Sequence, residues 1–149
     1  MSRFVLLCSV LLSLLCVGCS QSGTAEGVVD YKSISGIKGK SAYSIVRDGP
    51  SEGVQPIVVY DEELKNLGYF PPKGDLVVSD ILERQIEEAG YTGLDYIISV
   101  RILSDGKLSK YPSGFHTNRE IFNEAKLGTQ IKFEKSPSNI GPEIVRLLE

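Results

Sequence analysis

The side chains in this sequence that could do chemistry are few and widely spaced. One histidine, His116, stands beside Phe115 and just ahead of a predicted helix. Imidazole is the ordinary general base near neutral pH and the commonest metal ligand. A zinc site, however, draws on several His or Cys ligands, and this chain has one His and no Cys beyond residue 19, so no metal is expected. A Ser-His-Asp arrangement stays arithmetically open, but no Gly-x-Ser-x-Gly elbow accompanies His116, and the simpler reading is a surface or helix-entry histidine. Asp61-Glu62-Glu63 could hold a cation, yet acids at a helix start are accounted for by the helix dipole. Gly39-Lys40-Ser41 ends like a phosphate-binding loop. The pattern needs a Gly at position 34, where Ile34 stands, so neither a nucleotide nor any other cofactor is expected. Asp75 and Asp95 occupy equivalent places ahead of two predicted strands, and with Tyr69 and Tyr91 they are the candidate binding residues. Their ordinary task would be to hydrogen-bond a loop backbone; the sharper alternative is an acid pair, or His116, at work in a cleft.

The three cysteines, Cys8, Cys16 and Cys19, all fall in the first nineteen residues, which removes disulfides, thiolate metal sites and a cysteine nucleophile from the rest. Arg3 precedes an apolar run over residues 4–17, the layout of an export signal. As a helix, at about 1.5 Å per residue, the run is roughly 21 Å long, short of a bilayer core of about 30 Å. Within it, Leu15-Cys16-Val17-Gly18-Cys19 resembles the lipobox of bacterial lipoproteins. The resemblance covers the signal alone. Val17 and Gly18 match the pattern, whereas Cys16 stands where Leu is usual and Leu15 sits one place early. Cys8 and Cys16 each follow a Leu, too bulky for the position before the cut, which leaves Cys19. The resemblance implies cleavage between Gly18 and Cys19, diacylglyceryl on the Cys19 sulfur and, in many Gram-negatives, a third chain on its amine; Ser20 in place of Asp implies sorting to the outer membrane. Two or more acyl chains give stable anchoring where one is marginal. Two alternatives stay open: cleavage at Gly23-Thr24-Ala25, giving a soluble secreted protein, and an uncleaved anchor.

Loss of residues 1–18 would remove Arg3 and no acid, leaving 15 basic against 19 acidic side chains, interspersed. Such a surface has neither the footprint of a phosphate-backbone binder nor a polybasic lipid patch, and nucleic acid is not an expected partner. Residues 128–134 and the following Gly141-Pro142 are similar to the last strands of cold-shock domains. The aromatic nucleic-acid platform of that family is missing and Asn139-Ile140 interrupts the match, so the likeness is set aside.

The elements that must position the candidates make one domain of residues 28–149, behind a flexible polar tether of residues 20–27 that follows the lipidated Cys19. Strands are predicted at 28–33, 42–46 and 57–60, separated by turns. A repeated pattern follows: residues 62–69 and 84–91 each read as a helix ended by Gly and Tyr, then a loop, then Asp75 or Asp95 opening a strand. In the second helix Asp80 and Glu83 fit a capping box, with Ile81, Leu82, Ile86 and Ala89 on one face. Residues 96–103 form the best central strand, and Asp105-Gly106 turns the chain back into 108–111. A helix at 117–125, a strand at 129–134 and a terminal helix at 142–148, opened by Pro142, complete the chain. The expected fold is therefore α+β: a mixed sheet with two or more packed helices and a duplicated helix-Gly-Tyr-Asp-strand unit. The functional expectation is a lipid-anchored envelope protein, at the outer membrane facing the periplasm, with a non-catalytic binding or scaffolding domain for an envelope protein partner. A small envelope hydrolase and a secreted inhibitor or immunity-type protein are the alternatives.

Overall fold

Two long strands organise the chain in a computed structural model that describes residues 23–50, 57–68 and 75–149. They are β1 (Gly23–Lys38) and β4 (Tyr91–Ser104), antiparallel from Gly27↔Ile102 to Lys38↔Tyr91. Between them come β2 (Ser41–Asp48), β3 (Val58–Val59), α1 (Glu62–Asn66) and α2 (Asp80–Glu88); after them β5 (Lys107–Leu108), β6 (Ser113–Thr117), α3 (Arg119–Glu124), β7 (Gln130–Ser138) and β8 (Gly141–Leu148).

β4 pairs with β6, β6 runs parallel to β8, β8 returns along β7, and β7 pairs with the first six residues of β1. The circuit β1-β4-β6-β8-β7-β1 is a closed five-stranded barrel, and β2 and β3 extend from the second half of β1 as a flap. This overturns the α+β expectation. The described residues are 56% strand and 17% helix, and among them three short helices are placed against a barrel instead of layered on a mixed sheet. Four local expectations change with it. Residues 142–148 are strand β8, because pairing with β7 from Ser138↔Gly141 to Lys132↔Leu148 outweighs a helical start at Pro142. The expected tether is strand from Gly23, paired with Lys135. Residues 75–79 belong to no strand or helix, whereas Asp95 lies inside β4, so the duplicated unit does not carry through. The α2 N-cap is Ser79, whose hydroxyl accepts from the Leu82 amide, in place of the Asp80 capping box.

The barrel fills with Val29, Ile34, Ile98, Val100, Phe115, Phe133 and Ile144, and Phe115 meets Phe133 edge-on at 5.1 Å between ring centroids. At the end where β6 leaves and β7 enters, α3 lays Ile121 and Phe122 across the opening. Segment 75–79 is strapped beside it. Asn123 exchanges two hydrogen bonds with the Val78 backbone, and Asp48 accepts from the Leu76 amide at 2.7 Å. Burying Leu76, Val78, Leu82 and Ile86 completes the core, at about 1.5–3 kcal/mol per side chain. Gly27 must be Gly: a Cβ there would overlap the Arg101 carbonyl oxygen on β4.

Candidate functional site

Along β4, Tyr96, Ile98 and Val100 point into the barrel, so Asp95, Ile97 and Ser99 face outward. The β4–β6 register sets Ile97 opposite His116, leaving Asp95 diagonal to it on the same face. The His116 Nδ1 meets both Asp95 carboxylate oxygens, at 2.8 and 3.0 Å. This fixes the ring with Nδ1 as donor, so the neutral imidazole presents Nε2 as an acceptor. Both side chains are partly open, at 22% for His116 and 29% for Asp95. Beside them the wall is low. A Cβ on Gly114 would only touch Ile97 and Ser99, while one on Gly141 would press on the His116 ring at 3.2 Å. Glu143 lies across from His116 on β8, and Ser35 across from Asp95 on β1. A base held by a carboxylate is half of an acyl-transfer constellation. The nucleophile half is missing among the described residues, where no hydroxyl bonds to His116; the arrangement suits polar recognition.

The other sequence candidates do not join this wall. Asp75 accepts from the Leu127 amide at 2.7 Å, the backbone task ascribed to it, and Asp75 and Asp95 do not share a partner. Tyr91 is buried at 4% exposure and donates its hydroxyl to Asp61 at 2.7 Å. That bond holds the Asp61 carboxyl below the usual carboxylate range, while burial pushes the Tyr91 phenol up to about 12. Asp61 also caps α1 through the Leu64 amide and lies 3.6 Å from Lys38, so the 61–63 acids serve the helix. Gly18, Cys19 and Tyr69 lie outside the described residues, and those that are described contain no cluster of three metal-ligating side chains.

Inside the barrel, sequence reasoning missed Lys32. Its side chain has no exposed surface, its Nζ has no hydrogen-bond partner among the described residues, and it stands 4.6 Å from the centroid of the Phe122 ring. Across the β1–β2 ladder its neighbour is Asp48, itself buried. Desolvation pushes the amine down to about 8 against the attraction of Asp75 and Asp48, and burial likewise raises the Asp48 carboxyl. Glu83, Asp80 and Arg119 form a second network nearby. Tyr96 donates to Glu83, and Arg119 Nη1 reaches Asp80 and Glu83, each at 2.6 Å.

Comparison with protein-family models, curated proteins and solved structures returns no match to this chain.

Proposed function

We propose that the chain is a lipid-anchored protein of the bacterial envelope, held through Cys19, whose barrel is a non-catalytic binding module that meets an envelope partner on the outer wall of β4 and β6. The Asp95–His116 pair carries this reading: two bonded, partly exposed polar groups on the second and third strands of a five-stranded barrel, with glycines leaving the space around them open. Barrels of the OB architecture take ligands on that wall and its adjoining loops. The support is architectural, and the chemistry of this wall selects among ligands. Asp95 and Glu143 disfavour a polyanion, so the partner is a protein or another polar envelope component without dense phosphate.

The address is supported by the lipobox-like segment and by the position of β1. Cleavage after Ala25 would remove three residues that pair with β7, whereas cleavage before Cys19 leaves the strand whole. Two measurements test the proposal. Mass spectrometry of the mature N-terminus, with Cys19→Ala as control, is expected to show an acylated chain beginning at Cys19; an unmodified chain beginning at Glu26 overturns the address. A photocrosslinking residue in place of Ile97, in intact cells, is expected to give an envelope adduct that His116→Ala diminishes. Labelling no stronger than from the same residue at Tyr43, on the flap, overturns the binding wall.

A further inference from the structure

We infer that the barrel end carrying the β4–β5 and β7–β8 hairpins rests on the lipid bilayer, with Ile140, Tyr111 and Leu108 in its interface. The inference deepens the proposed anchoring and rests on lipid at Cys19. Because β1 is antiparallel to both β4 and β7, the start of β1 and the ends of β4 and β7 lie at one end of the barrel. The two hairpins that continue those strands therefore share an end with Gly23. Gly23 pairs with Lys135, so the rest of the β7–β8 hairpin, through Ile140, runs on past the first residue of β1. Cys19 is four residues from Gly23, and an extended chain spans at most about 3.6 Å per residue, so an acylated Cys19 holds this end within about 14 Å of the lipid attachment point.

The surface presented there suits that position. Ile140 is 68% exposed at the hairpin tip, Tyr111 is 71% exposed and Leu108 40%. Lys107 and Lys110 belong to the same hairpin as Leu108, Lys110 with its Nζ 5.2 Å from the Tyr111 ring centroid, and Lys135 lies on β7 opposite Gly23. Asp105 is the acid of the two turns; on the strands behind them Glu143 stands opposite Ser136, and Glu134 is bonded to Arg146. Tyrosine with apolar neighbours at headgroup depth, and lysines reaching the phosphates above, is the arrangement of an interfacial contact. The helices lie at the opposite end, while the Asp95–His116 wall borders the β7–β8 hairpin, since Gly141, next to Ile140, sits against the His116 ring.

The chain contains no tryptophan, so a single introduced indole reports its own surroundings. Full-length acylated Ile140→Trp and Tyr111→Trp proteins would be incorporated into phosphatidylcholine–phosphatidylglycerol vesicles with brominated acyl chains, with Ile81→Trp, on α2, as the far-end control. Both hairpin-end indoles are expected to lose roughly half or more of their emission, as suits groups about 5–10 Å into the interface, with Ile81→Trp unaffected. Flotation is read in parallel. Protein that floats while the hairpin-end indoles are quenched no more than the control overturns the docking and leaves the anchor standing. Protein that carries no acyl chain and does not float removes the anchor, and the docking with it.

Discussion

Replacing Lys32 with methionine should stabilise the protein, and the gain should fade as pH rises. The ammonium is fully buried, faces one aromatic ring and has no hydrogen-bond partner among the described residues, so desolvation outweighs the pull of Asp75 and Asp48. The gap from an ordinary 10.5 to about 8, at about 1.36 kcal/mol per pH unit, makes its charged form cost the fold about 3 kcal/mol. The sign follows from proton counting. Below pH 8 the amine is charged in both states and the full cost applies. Between about 8 and 10.5 the unfolded chain binds the extra proton, so stability rises with pH. By pH 9.5 about 2 kcal/mol should be recovered. Methionine fills a similar volume without the charge, as when buried ionic groups yield to apolar ones. Urea unfolding followed by circular dichroism at pH 7 and 9.5 checks this. The wild-type protein should gain about 2 kcal/mol over that interval and Lys32→Met should not, the variant being up to about 3 kcal/mol the more stable at pH 7. A flat wild-type profile, or a variant less stable at pH 7, would refute the account of an under-compensated buried amine.

Two further substitutions probe the scaffold. Gly27→Ala drives a methyl into the Arg101 carbonyl where β1 crosses β4, and should destabilise by about 3 kcal/mol or more, read as a lowered urea midpoint at unchanged slope. Asp61→Asn keeps a capping acceptor for the Leu64 amide but removes the charge that binds the Tyr91 hydroxyl and Lys38. A loss of about 1–2 kcal/mol is expected at pH 7, shrinking as acid protonates the wild-type carboxyl through its depressed value; equal losses at pH 7 and pH 3 would count against the charge-assisted bond.

Local signals marked the elements whose shape is decided locally. The Asp105-Gly106 turn appears where expected, with φ of 50° and 73°, the left-handed pair a two-residue hairpin requires. The apolar face of α2 buries Leu82 and Ile86, though Ile81 stays 58% exposed because the helix meets the barrel on a narrower stripe than its pattern allows. Where long-range pairing decides, the sequence pointed elsewhere. Residues 142–148 satisfy a helical beginning, yet they bond to β7 on one side and meet β6 on the other. Thr92-Gly93-Leu94 reads as a loop, but β1 runs on to Lys38, and pairing Ile37↔Thr92 carries β4 through it as a bulge, with Gly93 at φ 56°. Closing a barrel needs every edge matched, and no window of sequence carries that condition.

The site was hidden for a related reason, which concerns phase. Simple alternation along β1 puts Val29, Tyr31 and Ser33 on one face and Asp30, Lys32 and Ile34 on the other, which sends Lys32 outward if Val29 is core. The register against β4 slips at Asp30, between Val29↔Val100 and Tyr31↔Ser99. One extra residue moves everything beyond it to the opposite face, so Val29 and Lys32 both end inside. Asp95 and His116 are likewise separated by 21 positions and the whole β5 hairpin, and they meet only because Ile97 opposes His116. A one-residue slip between β4 and β6 would turn Asp95 from the ring and bury it. The strand register that closes the barrel is therefore the same feature that creates the candidate binding wall, and a substitution that loosens the closure should lose the Asp95–His116 bond before it unfolds the protein.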